Sequence, residues 1–229
     1  MNMRIANQMK LLIINPNSSK SVTDNLEEIL PVPPQSHLSF YTGPSDAPPE
    51  IDGPETSKKS CETCLRDIKE KELYKHYDGY LVCCYSDHPL IYELRKLTGK
   101  PILGIFQASV TYAMTRSPQK FGILTSTKSW EPILDEAVKA FFGGVDVPLF
   151  TGTVASNVNV LGLSDPENYK KLVKKANKVV DDGAKTILLG CAGLSGLEGK
   201  LMESIPGVMI VDSVKLGVEL LYSLVRMES

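Results

Sequence analysis

The chain has 229 residues, 42% hydrophobic and 23% charged, with a formal net charge of -2, a balance that suits an ordinary globular protein able to fold on its own core. That charge gives no strong electrostatic reason to expect nucleic acid or membrane, and no apolar run approaches the roughly 18 residues of a membrane span. Five cysteines, an odd number, and an N-terminus without the pattern of a secretory leader set the expectation of a cytoplasmic protein with reduced thiols.

The first apolar run, "KLLIIN" (Lys10 to Asn15), predicts a strand, and "SSKSVTDNLEEIL" after it a helix begun by Ser or Asn. A region rich in Pro, Gly and Asp follows, holding one alternating strand, "HLSFYTG". "CETCLRDIKEKELYKHY" predicts a helix with Leu65, Ile68 and Leu73 on one face, and "DGYLVCCYS" the next strand. The Cys61-x-x-Cys64 pair could be a redox pair, half a zinc site, or two small residues on the first turn of that helix; zinc would need further ligands, and the histidines are only His37, His76 and His88. "PLIYELRKL" predicts a helix and "KPILGIFQ" a strand.

The same grammar recurs in the second half. "KFGILTSTKSWEPILDEAVKAF" predicts strand then helix, "VPLFTGTV" a short strand, "PENYKKLVKKANKVVDDGA" a helix, "KTILLGCAGLSGL" strand then loop, and "GVMIVDSVKLGVELLYSLV" a final strand and helix. Continuous apolar strands alternating with amphipathic helices indicate an α/β fold with parallel sheets joined by right-handed crossovers.

The two halves echo one another. The separation from Asn15 to Cys84 is 69 residues and from Thr125 to Cys191 it is 66, and each cysteine ends an apolar run opened by an acidic-glycine turn, "YDGYLVCC" and "DDGAKTILLGC". Two such α/β halves facing each other bring both thiols to one cleft, because ligands bind outside the carboxyl ends of parallel strands. A buried cysteine is also a common small hydrophobe. Here, however, "CYSD" and "CAGLSG" surround the thiols with small residues and backbone N–H groups, at Tyr85, Ser86, Ala192 and Gly193, of the kind that stabilises anionic oxygen or a thiolate.

"LLIINPNSS", "CYSDHPL", "FGILTS" and "LGCAGL", in this order and spacing, resemble the aspartate/glutamate/hydantoin racemase superfamily, and most closely its hydantoin and allantoin racemase branch, from about Lys10 to the last helix. The resemblance implies an enzyme without cofactor or metal, built as two pseudo-symmetric Rossmann-like lobes with the active site in the cleft between them. The lobes expected are residues 1–113 with 207–229, the C-terminal strand and helix completing the first, and residues 114–206. Carried over by motif, the catalytic cysteines are Cys84 and Cys191. Cys84 is preferred to Cys83 for its place before an aromatic residue, a small residue and Asp, and because neighbouring strand residues face opposite ways. Two departures stand out: "DHPL" (Asp87 to Leu90) where relatives commonly read "DPGL", and "PEIDGPE" (Pro49 to Glu55), which only loosely resembles the family's Ser-Ile-Glu-Gly loop.

The implied reaction inverts a stereocentre beside a carbonyl, one thiolate removing the α-proton and the opposite thiol returning one. Tyr85, Ser86, Ala192 and Gly193 are candidates for stabilising the enolate through backbone N–H groups. Asn15, Ser18, Ser19, Thr125 and Ser126 are candidates for holding a hydantoin or allantoin ring, although helix capping would equally explain Ser18, Ser19 and Ser126. The partner expected is a small-molecule substrate, in a homo-oligomer, with neither nucleic acid nor membrane. Competing readings are another activity of the superfamily (amino-acid racemase, maleate isomerase or malonate decarboxylase) and a non-catalytic two-lobed binding protein.

Overall fold

The computed structural model describes residues 8–158 and 165–228; the two ends of the chain that the expected lobe ranges include lie outside the described residues. Strands and helices alternate as β1 (Met9–Asn15), α1 (Lys20–Ile29), β2 (Ser36–Thr42), α2 (Pro54–Glu70), β3 (Gly79–Val82), α3 (Pro89–Leu97), β4 (Ile102–Gly104) and α4 (Ile105–Thr115). The second series is β5 (Phe121–Thr125), α5 (Trp130–Phe141), β6 (Phe150–Ala155), α6 (Pro166–Asp181), β7 (Thr186–Leu189), α7 (Glu198–Ser204), β8 (Met209–Val211) and α8 (Ser213–Glu228).

The strands form two four-stranded parallel sheets of matching order, β2-β1-β3-β4 and β6-β5-β7-β8. The α/β class and the two similar lobes are therefore as expected. Each central strand is apolar on both sides because both sheet faces are covered. In β1, Leu11 and Ile13 join the core shared with α4, α8 and the second lobe, while Leu12 and Ile14 join the core under α2 and α3. Helices begin where the chemistry favours it. Pro166 opens α6 behind Asp165, whose carboxylate accepts the Glu167 N–H at 2.9 Å, and Leu172, Ala176 and Val179 form its buried stripe.

Several expectations are corrected. "KPILGIFQ" is strand only to Gly104, and Ile105 starts α4 at once, with Gln107 Oε1 accepting the Gly104 N–H at 3.2 Å. Most of α4 is buried (Ile105, Phe106, Gln107, Ala108, Ser109, Val110, Ala113), so it carries no clear amphipathic period to read. The short α7 lies just beyond the loop of "KTILLGCAGLSGL", in a stretch where the sequence suggests no element. α2 starts at Pro54 and ends at Glu70, leaving Leu73 to a separate 3-10 turn. Cys61 and Cys64 consequently lie within α2 rather than on its first turn, both buried and free, with the Cys64 thiol donating to the Pro16 carbonyl at 3.3 Å. No group of His, Cys, Asp or Glu among the described residues is arranged to hold a metal ion.

The C-terminal strand also moves: β8 pairs with β7 in the second sheet, whereas α8 packs on α4, β3 and β4. Glycine makes that crossing of α8 onto the first sheet possible. A Cβ on Gly217 would lie 2.9 Å from Leu81 Cδ1 and 3.3 Å from Ile105 Cγ2, nearer than side-chain packing allows. No helix among the described residues is long and apolar enough to cross a membrane.

Candidate active site

The carboxyl ends of β1, β3, β5 and β7 converge on a cavity of about 300 Å³, lined by residues that include Cys84, Tyr85, Ser126 and Cys191. Its wall is drawn from both lobes because each sheet contributes its two central strands. Size and position suit a small ligand.

Cys84 lies two residues beyond the end of β3 and is partly buried, its Sγ hydrogen-bonded to Ser86 Oγ at 3.3 Å. Burial pushes this thiol up from an ordinary 9.0 to about 12, the Ser86 hydroxyl pulls it partly back, and charge on Cys191 adds to the rise. The two thiols are thus near enough to feel each other's ionisation. Cys191 caps the 3-10 turn Ala192–Leu194. Its thiol is also raised, chiefly by burial and further by the charge of Glu50, against lowering hydrogen bonds from the Gly193 N–H, the Ser126 hydroxyl and the Leu194 N–H. Cys191 therefore has more donors for a thiolate than Cys84, and is the better stabilised anion of the pair.

Cys83 behaves differently from the strict alternation expected of it. It shares the inner core with Leu81, 4% exposed, yet also reaches the cavity wall. β3 ends at Val82, so the rule that neighbours face opposite ways no longer separates the doublet. Burial, then the charges of Cys84 and Asp212, hold the Cys83 thiol well above its ordinary value.

The remaining expected site residues divide into those on the cavity and those behind it. Ser19, Ser126, Ala192 and Gly193 line it. The capping explanation fails for the two serines: Ser19 makes no side-chain cap bond on α1, its Oγ lying 3.0 Å from Ser21 Oγ, and α5 starts only at Trp130, with Ser129 before it. Asn15 is buried behind the wall, its amide donating to the Ser19 carbonyl (3.0 Å) and to Thr23 Oγ1 (3.1 Å). Thr125 is buried too, its hydroxyl spent on the Gly190 carbonyl. Ser18 donates its N–H to the Pro48 carbonyl at 3.0 Å and is absent from the lining. These three shape the loops that carry other groups.

Two of the backbone donors expected for an oxyanion are already engaged. The Ser86 N–H closes a turn on the Cys84 carbonyl at 3.0 Å, and the Gly193 N–H serves the Cys191 sulfur. Tyr85 and Ala192 remain on the cavity wall. The Tyr85 ring stacks edge-on against Phe106 at 5.6 Å, and its hydroxyl lies 3.0 Å from Ser109 Oγ, which anchors the loop bearing Cys84.

Asn17, Glu50, Ile51 and Trp130 also line the cavity although sequence reasoning did not place them there. For Asn17 a signal existed, since the Asn-Pro-Asn-Ser-Ser run already pointed to this loop; Glu50 and Ile51 come from the Pro-rich segment, whose path has no periodicity to read. Another unforeseen residue is Asp212, the buried carboxylate after β8. It accepts from the Ser195 hydroxyl (2.7 Å) and from the N–H groups of Gly196 (2.7 Å), Val214 (3.0 Å) and Lys215 (3.1 Å), tying the loop beyond Cys191 to the start of α8.

His88, the departure in "DHPL", is wholly buried at the start of α3, its Nδ1 accepting the Leu90 N–H at 3.3 Å. Nε2 then carries the proton and finds no partner among the described residues. Burial lowers this imidazole to about 4, so it is neutral at ordinary pH.

Residues 11–221 match the family described as Asp/Glu/Hydantoin racemase. The chain is 35% identical to Protein DCG1 of Saccharomyces cerevisiae, over 96% of this chain and 97% of that one. It is 31% identical to a hydantoin racemase of Rhizobium meliloti, over 93% and 87% of the two chains. In fold it is similar to the allantoin racemase from Klebsiella pneumoniae, with a TM-score of 0.82 at 21% identity, over 96% of this chain and 89% of that one.

Proposed function

The chain belongs to the Asp/Glu/Hydantoin racemase family, and on that premise we propose that it racemises a cyclic ureide of the hydantoin or allantoin type by proton transfer between Cys84 and Cys191, without a cofactor. The observation that carries this reading is the pair of thiols, one from each lobe, on the wall of one cavity and within electrostatic reach of each other.

The substrate's stereocentre sits between the two sulfurs. Cys191, with donors from Gly193 and Ser126, is the thiolate of the productive form; it takes the α-proton and becomes a thiol, leaving the electron pair on the substrate as a planar enolate. Cys84, a thiol at rest, gives its proton to the opposite face and becomes the thiolate. For the other enantiomer the roles exchange, and no net proton is gained or lost. In this reading the backbone N–H groups of Tyr85 and Ala192, two residues of the cavity wall, stabilise the enolate oxygen.

The cavity chemistry favours an uncharged ring over a dicarboxylate. No Lys, Arg or His among the described residues lines it, and the lysine nearest in sequence to its serine-bearing rim, Lys20, points into solvent and pairs with Asp24. A buried substrate carboxylate would lack a counter-charge. Enantiopure allantoin and C5-substituted hydantoins, followed by optical rotation beside enantiopure aspartate and glutamate, test the assignment. Loss of rotation is expected with one or more ureides and not with the amino acids; turnover of the amino acids alone would overturn it.

A further inference from the structure

Glu50 is the one carboxylate, and the one side chain with a fixed charge, among the described residues on the cavity wall. It is not a loose end of the Pro-rich loop. Two residues before it, the Pro48 carbonyl accepts the Ser18 N–H at 3.0 Å; just beyond it, the N–H groups of Asp52 and Gly53 donate to Thr56 Oγ1 at 3.0 and 3.1 Å. Ile51 turns inward against the core shared by the lobes. The backbone holding Glu50 is therefore pinned on both sides, and its exposed side chain stands at the mouth of a cavity whose thiols are partly buried.

We propose that Glu50 selects the substrate, favouring cyclic ureides whose stereocentre carries an N–H-donating substituent, such as the ureido group of allantoin, over those with an alkyl or anionic substituent. This rests on the racemase reading above. With the stereocentre between the thiols, whatever projects from it toward the mouth meets this carboxylate. A ureido group offers it N–H donors in a charge-assisted hydrogen bond. An alkyl group leaves the carboxylate without that bond, and a carboxylate is repelled.

A second consequence links binding to chemistry. The charge of Glu50 opposes ionisation of Cys191. A substituent that donates to Glu50 spreads that charge and lets Cys191 ionise more readily, so the preferred substrate also improves its own base.

The test measures kcat/KM for racemisation of allantoin, 5-isopropylhydantoin and hydantoin-5-acetic acid by the wild type, Glu50→Gln and Glu50→Lys. Ratios between substrates within one variant cancel any change in folded fraction. Glu50→Gln should lower the allantoin-to-isopropylhydantoin ratio by about tenfold, the worth of one hydrogen bond to a charged group. Glu50→Lys should in addition raise hydantoin-5-acetic acid relative to isopropylhydantoin. Unchanged ratios, or a parallel fall for all three substrates, would overturn the proposal while leaving the racemase reading standing. If the wild type turns over none of the three, the specificity proposal fails with its premise, and the wider ureide and amino-acid panel then decides the racemase reading.

Discussion

Thr125 donates its hydroxyl to the carbonyl of Gly190 at 2.9 Å, fastening the end of β5 to the residue just before Cys191. Gly190 must be glycine for this approach, since a Cβ there would lie 2.5 Å from Ile123 Cγ2 and 3.2 Å from the Leu124 carbonyl oxygen. In the first lobe, Asn15 at the end of β1 spends its amide on the start of α1 instead. Equivalent strand ends therefore brace different loops, and the two thiols they serve have different surroundings.

That difference can be measured. Cys84→Ser and Cys191→Ser should each reduce racemisation at least about a hundredfold, the usual worth of a general acid or base. Each should retain slow exchange of the α-proton for solvent deuterium from one enantiomer, and the two variants should favour opposite enantiomers, as proton NMR in deuterium oxide would show. Cys61→Ser, within α2 and away from the cavity lining, should keep racemisation. If Cys83→Ser proves the inactive variant, the acid/base role moves to the other half of the doublet.

The pH profile follows from the thiols. The productive form has one thiolate and one thiol, and burial raises both groups, Cys84 to about 12. The kcat/KM should therefore climb from neutral into alkaline pH. Ser126→Ala removes a donor that favours the Cys191 thiolate, so it should raise that pKa and move the rising limb to higher pH. A limb displaced toward acid would contradict the assigned role of Ser126.

His88 predicts how stability depends on pH. Its folded-state value of about 4 lies below an ordinary 6.5, so between these values the unfolded chain binds the extra proton and acid favours unfolding. The contribution is complete above about pH 6.5 and is lost toward pH 4, on the order of 3 kcal/mol over the window. Urea midpoints of wild type and His88→Asn, followed through that range, should converge as pH falls, because the variant lacks this titration while the carboxylates are common to both. Parallel curves would mean that His88 is not held neutral by burial.

At the crossing of α8 over the first sheet, Gly217→Val should cost about 1 to 3 kcal/mol by overpacking against Leu81 and Ile105. Chemical denaturation reads this directly, and an unchanged midpoint would mean that the helix does not lie this close to β3.

The sequence by itself determined the fold class and the internal duplication, and it marked two strand ends that carry cysteines, because each is written in local patterns: apolar runs, glycine turns and recurring spacing. It did not disclose α4, since a helix buried on most sides loses the amphipathic period that marks one. The tertiary structure alone assigned β8 to the second sheet and α8 to the first, through strand pairing with β7 and close packing of α8 at Gly79 and Gly217 rather than by any local preference. It also decided which polar groups reach the cavity. Asn15 and Thr125 look like ligands in the chain but spend their hydrogen bonds on loops, while Glu50, in a loop without periodicity, arrives on the wall because its neighbours are tied to Ser18 and Thr56. Hydrogen-bond partners distant in sequence settle such questions, and they exist only once the chain has folded.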